Sequence, residues 1–236
     1  MGEAGDLAAA VGVTGLFAAL AYLLRMVSAG GAAGGMVVGT LVYASLGAPG
    51  FAVLALFVVG GSLLTRLGYE RKRRSGTAEA RGGRRGAKNA LANGGVAVAC
   101  ALLSALTPFR EAFSAAFVAA LGAAFADTAE SEVGQLYGGR PRLVTTFEPV
   151  RPGTDGAVSL PGTLAGLAAA GLTAALGALL GLVEGAAVPV AVAAFCGTLV
   201  DSLIGARLPR LGNGLTNAAG TLAAALAALL LLGVVR

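Results

Sequence analysis

The sequence predicts an all-α fold, a polytopic membrane helix bundle of about seven to eight transmembrane helices, and three observations lead there. Apolar residues fill 56% of the 236 positions against 12% charged, with a mean hydropathy of +0.81, well outside soluble globular usage. Apolar runs near the length needed to cross a bilayer, about 18 residues or more, recur along the whole chain. Thirty-eight glycines and abundant alanine would weaken helices in water, but in lipid such small residues let helices approach closely.

The runs fall at 7–24, 29–47, 50–67, 90–107, 111–126, 160–183, 186–206 and 214–235. The first is expected to be a span and not a cleaved leader, because Met1 to Asp6 carries Glu3 and Asp6 and lacks a basic n-region. Small-residue packing is clearest in Gly30 to Gly39 and in Gly177 to Gly185. The longest polar interval, about 32 residues from Asp127 to Val158, is too short to bury a core of its own. Residues 1–236 therefore read as a single integral membrane domain, with a basic cytoplasmic loop at 68–88 and a polar cytoplasmic or re-entrant loop at 127–159.

Composition also excludes chemistry. With no histidine, His-based general-base catalysis, haem ligation and zinc-histidine sites are ruled out. Cys100 and Cys196 fall inside predicted spans without redox or zinc spacing and read as small buried apolar residues, not a disulfide.

Nine of the 17 Lys and Arg residues lie between Arg66 and Lys88, which the positive-inside rule assigns to the cytoplasm. Threading eight alternating spans from that loop puts Asp127 to Ser159, Arg207 and Arg210 on the same side, and Thr107 to Glu111 and Glu184 on the other. The polar segments thus share one face, and the chain is expected in the plasma membrane with its polar loops cytoplasmic.

Asp127 closes the apolar string LGAAFA and Asp201 follows FCGTLV. A lone carboxylate in such a run costs on the order of 3 kcal/mol at the bilayer centre, so each needs a partner and each is a candidate functional acid. Partners open to Asp201 are a metal shared with Asp127, a base such as Arg84, Arg85 or Lys88, or a network including Ser202, Asn213 and Asn217. If helix continues past Asp127, Glu130, Ser131 and Gly134 share its face and Glu132 points elsewhere. Paired carboxylates at the edge of a bundle suit Mg²⁺, which prefers oxygen ligands and is often completed by substrate phosphates.

Asn89 and Asn93, four apart, put two amides on one helical face directly after Arg84, Arg85 and Lys88. Glycines 82, 83 and 86 around those bases resemble an anion nest and not a Walker A motif, whose spacing is absent. Arg71 to Arg74 read as topology determinants. Arg140, Arg142 and Arg151 flank the string PGTDGAVS, whose turns aim Thr154 and Asp155.

The strings GGRRGAKNALANGG, FADTAESEVG, PVRPGTDGAVSLPGTLAG, GTLVDSLIGA and NGLTNAAGTL occur in the order seen in the integral-membrane family called domain of unknown function ninety-two, which this chain resembles most strongly over 82–221. Characterised plant members of that family are phytyl-phosphate kinases, similar to the CTP-using membrane kinases of polyprenols. The resemblance therefore implies phosphoryl transfer from CTP to an isoprenyl monophosphate, with Mg²⁺ as cofactor. Matched positions are Asn93, Asp127, Thr128, Ser131, Glu132, Gly134, Gly153, Gly156, Asp201, Ser202 and Gly205, whereas Glu130 stands where the family has a small or apolar residue. On this basis Asp127, Glu132 and Asp201 are the expected catalytic and metal-binding acids, Glu132 provided that the helix unwinds. Arg84, Arg85, Lys88, Asn93, Arg140, Arg151, Thr154, Asp155, Ser202 and Asn217 are the expected phosphate- or substrate-binding residues. Expected partners are the lipid bilayer, an isoprenoid phosphate and a nucleotide, with no nucleic acid.

Two other classes fit parts of the sequence. A carrier or lipid exporter would use the intramembrane acids for coupling, but the segments near Thr107 and Glu184 are short and nearly featureless. A structural partner without chemistry would need neither acid for turnover.

Overall fold

The computed structural model describes residues 3–233, so Met1 and the last predicted positions, 234–235, lie outside the described residues. Helix α1 (Glu3–Leu23) leads into α2 (Ala29–Arg66), whose N-terminus is capped by Ser28 Oγ accepting from the Gly31 amide at 3.1 Å. Short helices α3 (Tyr69–Ser75) and α4 (Ala80–Gly83) follow, then α5 (Ala87–Leu106) and α6 (Arg110–Tyr137). Strands β1 (Arg142–Leu143) and β2 (Ala157–Val158) form a small antiparallel ribbon, with Arg142 opposite Val158 and Leu143 opposite Ala157. Helices α7 (Leu160–Leu179), α8 (Ala187–Arg207) and α9 (Asn213–Leu231) complete the bundle. Among the described residues, six helices are long and apolar enough to cross a membrane, and Leu7–Leu23 adds a shorter apolar one.

The longest of the six reverses direction. At Gly47 the backbone takes φ +67°, and Pro49 follows. A Cβ on Gly39 would lie 3.2 Å from the Phe51 ring, and the Tyr43 and Phe51 rings are 5.9 Å apart. Residues 39 and 51 in a continuous helix would be about 18 Å apart. Glycine reaches positive φ at no steric cost, and proline disfavours helix at the residue before it. The predicted runs 29–47 and 50–67 are therefore the two arms of one hairpin, and the described residues form eight apolar helical segments.

Helix α6 is the axis. Ala116 to Leu121 along it are 0% exposed, and α2, α5, α7, α8 and α9 all pack on it. Alanine and glycine make this possible. At the α8–α9 crossing a Cβ on Gly197 would sit 2.6 Å from the Gly220 carbonyl oxygen, so the two backbones nearly touch. Cys100 is buried as expected, but Cys196 is exposed on the outer side of α8.

The polar segments converge on one end of the bundle. Gly153 lies against Thr77, Gly156 against Ser202 and Ala206, and Arg85 against Thr128. The opposite end holds Pro49, Arg110, Glu111 and Glu184 around a cavity of about 800 Å³. The single-sided clustering of charge read from the sequence is thus a property of the fold.

Candidate functional site

The site grows from the inner end of α6. The helix does not unwind after Asp127 but continues to Tyr137, and this sets every direction that follows. Asp127, Glu130, Ser131 and Gly134 all line one cleft of about 270 Å³, as expected for positions three, four and seven apart. Thr128 donates back to the Ala124 carbonyl at 2.9 Å, and its Oγ1 accepts from Arg85 Nη2 at 3.2 Å.

Across the cleft, α8 supplies Asp201 and Ser202 and α9 supplies Asn213, Thr216 and Asn217. Asp127 and Asp201 also share a small cavity of about 10 Å³ with Asn93, Thr198 and Asn217. That is close to the least space that admits one water-sized body. One end of the Asn217 amide lies 3.0 Å from Asp201 Oδ2 and 2.8 Å from the Asn213 carbonyl. Since it meets only acceptors there, that end is the nitrogen, and Asn217 donates to Asp201. Its other end, then the oxygen, is 3.0 Å from the side-chain amide of Asn93. The four-residue spacing of Asn89 and Asn93 does place both on the cleft wall.

The outer rim is the turn after β1. Thr154 Oγ1 donates to the Arg151 carbonyl at 2.8 Å, and Gly156 takes φ +75°. A Cβ on Gly156 would be 2.6 Å from the Ser202 carbonyl and 2.5 Å from Ala206 Cβ, so only glycine seats this turn on α8. Seated there, the turn brings Thr154 and Asp155 to the cleft.

Of the expected phosphate-binding bases, only Arg85 is in the wall of the cleft; Arg84, Lys88, Arg140 and Arg151 are not. Lys88, Arg140 and Arg151 are exposed. Arg85 sits with its guanidinium carbon 5.4 Å from the Phe57 ring centre. Burial draws its pKa below the usual value, and the carboxylates of Glu132, Glu79 and Asp127 partly offset this.

Glu132, expected to point elsewhere, also lines the cleft, and its carboxylate is held by the Lys72 ammonium in a buried ion pair. Lys72 Nζ also donates to the Thr65 and Leu64 carbonyls at 2.9 and 3.2 Å. Lys72, inside a run read as topological charge, is 1% exposed and is a residue that sequence reasoning missed. Gln135 was also missed; its Oε1 is buried without a hydrogen-bond partner and the residue lines the cleft. Thr77, Glu79 and Thr216, which line the cleft, were missed as well. Glu130, whose carboxylate accepts from Thr163 Oγ1 at 3.1 Å, is wedged between α6 and α7.

The wall thus carries six carboxylates, on Glu79, Asp127, Glu130, Glu132, Asp155 and Asp201, against one guanidinium. Among the described residues, no three acidic or sulfur side chains form a preformed metal cage. Such an excess of carboxylates repels a bare anion.

An acidic cleft of this kind at one end of an alanine- and glycine-rich helix bundle defines a polytopic integral membrane protein with a polar site at one membrane face. The chain belongs to the family described as integral membrane protein DUF92, whose model matches residues 12–216 and so takes in the first three passes as well. It is 39% identical over 184 residues to the uncharacterized membrane protein sll0875 of Synechocystis, covering 77% of this chain and 71% of that one. It is 36% identical over 189 residues to the chloroplastic protein VTE6 of Arabidopsis thaliana, covering 78% of this chain and 57% of the relative. It is 32% identical over 227 residues to protein PGR of the same plant, with 84% and 77% covered. No solved structure matches the chain.

Proposed function

We propose that the protein is a membrane phosphotransferase that moves the terminal phosphoryl group of a nucleotide, CTP by family resemblance, to an isoprenyl monophosphate. The observation that carries this reading is the pair Asp127 and Asp201, on different helices, flanking a space for one small body inside an otherwise acidic cleft. Both carboxylates also face the larger cleft, where retained water and substrate oxygens would complete the shell of a Mg²⁺ that Asp127 and Asp201 would hold. When bound, the ion supplies neutralisation of phosphate charge.

The reaction asks for positioning more than for a strong nucleophile. A phosphate oxygen of the acceptor forms a bond to the terminal phosphorus of the nucleotide as the bond to the bridging oxygen breaks. The nucleoside diphosphate leaves with that electron pair. The acceptor phosphate is already ionised at neutral pH, so the absence of histidine is no obstacle. Asn217 fixes the orientation of Asp201. Arg85 donates to an acceptor or transferred phosphate, and Thr128 holds its guanidinium in place.

The fold supports this reading over that of a carrier. Phe117, Val118 and Leu121 fill the middle of α6 at 0% exposed, and the small cavity beneath Asp127 ends at Ala123 and Ala124. By the charge bias of residues 66–88, the cleft opens to the cytoplasm from the plasma membrane.

The test is incubation of the purified protein with Mg²⁺, labelled CTP or ATP, and a panel of prenyl alcohols and monophosphates, beside Asp127→Asn. Labelled prenyl diphosphate formed by the wild type and lost in the variant is expected. No transfer to any acceptor by folded protein would overturn the assignment in favour of a carrier.

A further inference from the structure

We infer that the acceptor's apolar tail enters sideways from the bilayer between α1 and the first arm of α2, and that Arg85 holds its anionic head at the inner end of that channel. The inference rests on the isoprenyl-phosphate reading above and assigns the site's lipid-side half.

Three cavities lie in series. The acidic cleft shares Arg85 and Asn89 with a second cavity of about 70 Å³ enclosed by α1, both arms of α2 and the start of α5. The second is apolar, lined by Phe17, Val38, Phe51, Leu54 and Phe57 among others. It in turn shares Ala18 and Ala32 with an open surface groove of about 500 Å³ between α1 and α2. The route therefore runs from the bilayer-facing surface, past alanines and glycines, to a guanidinium, and then into the acids.

Arg85 is built as the joint between the two environments. Its backbone is pinned by the α1–α2 connection: its amide donates to the Met26 carbonyl at 3.2 Å, and its carbonyl accepts from the Ser28 amide at 3.0 Å. Gly31 presses so closely on that carbonyl that a Cβ there would overlap it. The guanidinium has five N–H donors. One goes to Thr128, the rest have no protein partner among the described residues, and Arg85 joins neither ion pair found there. A partly buried cation held in this way is matched by an anion that arrives with its own apolar chain. A nucleotide has no such chain, and a neutral lipid has no such head. The 70 Å³ cavity seats only the first carbons of the tail, and the rest lies in the groove and the bilayer.

The test is plugging the channel. A Cβ added at Gly35, which lines the apolar cavity, meets no atom within 4 Å, so Gly35→Leu enters that space without a backbone collision at its root. Gly171→Leu, equally free of neighbours but on α7, is the control. Ala18→Leu, from the facing helix, is a second plug in case the first fails to fold. Equilibrium binding of labelled farnesyl monophosphate and of dimethylallyl monophosphate is measured on protein in nanodiscs, without nucleotide.

Each plug is expected to weaken farnesyl monophosphate about tenfold, the loss for roughly two methylenes displaced from an apolar site. Ala18→Leu, at the mouth the cavity shares with the groove, should leave dimethylallyl monophosphate little changed, because its few carbons fit inside the cavity, whereas Gly35→Leu, within the cavity, should weaken both ligands. Arg85→Gln should weaken both alike. Plugs that leave farnesyl binding at the control level, or an Ala18→Leu that weakens both ligands equally, overturn the inference, as does a wild type that binds neither. Length-dependent binding without phosphoryl transfer would uphold the channel and sink the kinase; transfer unaffected by the plugs would do the reverse.

Discussion

Replacing Lys72 by methionine removes the ammonium and leaves the Glu132 carboxylate buried without its counter-charge. Lys72 has a side chain 1% exposed, its partner one 10% exposed, and all three of its N–H donors are used, on Glu132 and on the Thr65 and Leu64 carbonyls. Breaking such a pair from one side costs about 3–5 kcal/mol, because an uncompensated charge remains inside. For a chain of this length each kcal/mol moves the melting temperature by roughly 2–4 °C, so Lys72→Met should melt about 6–20 °C below the wild type. Converting both partners, Lys72→Met with Glu132→Leu, removes the stranded charge and should recover most of that loss. Thermal unfolding in detergent of the wild type, the two single variants and the double variant closes the cycle. A Lys72→Met shift below about 2 °C, or a double variant whose loss is the sum of the singles, refutes a structural role for the pair. The same double variant, assayed for turnover, separates the two roles open to Glu132. Retained activity makes it a structural partner of Lys72, and abolished activity in a stable protein returns it to the metal.

Other perturbations test the frame around the site. Gly197→Leu should separate α8 from α9 and cost about 1–3 kcal/mol or more through overpacking, read as a lower melting temperature beside the neutral Gly171→Leu. Gly156→Ala puts a Cβ both at positive φ and into the α8 backbone, and should unseat the Thr154–Asp155 turn. The expected sign is faster proteolysis within 138–159 with little change in global melting; unchanged cleavage would show that the turn does not depend on that contact. Asn217→Ala should lower turnover about tenfold to a hundredfold by freeing Asp201, with a smaller effect on stability, as for a residue that orients a ligand from behind.

The eight apolar runs were legible because bilayer length is a strong filter, and 29–47 and 50–67 survive as arms of one helical hairpin. The end of α6 was not, because hydropathy falls at Asp127 while Ala, Glu and Gln in TAESEVGQLY still favour helix. That continuation decides the direction of Glu132, which meets Lys72 from 60 residues away, a pairing no local pattern carries. Asp127, Asp201, Asn93 and Asn217 were readable as polar residues in apolar surroundings. Of the bases, proximity in sequence suggested Arg84, Arg85 and Lys88 alike. Only the clamp of Met26 and Ser28 on the Arg85 backbone distinguishes one of them.

The proposed chemistry is tested most directly by a single-turnover measurement. Terminally labelled CTP and farnesyl monophosphate are mixed with the wild type, Asp127→Asn and Asp201→Asn, with Mg²⁺ and after its removal by chelation. The wild type should form labelled farnesyl diphosphate only with the metal, and each variant, at unchanged melting temperature, should be slower by about a hundredfold or more. Equal rates in the wild type and either folded variant, or transfer that survives chelation, would contradict the assignment of these two aspartates to the reacting phosphates.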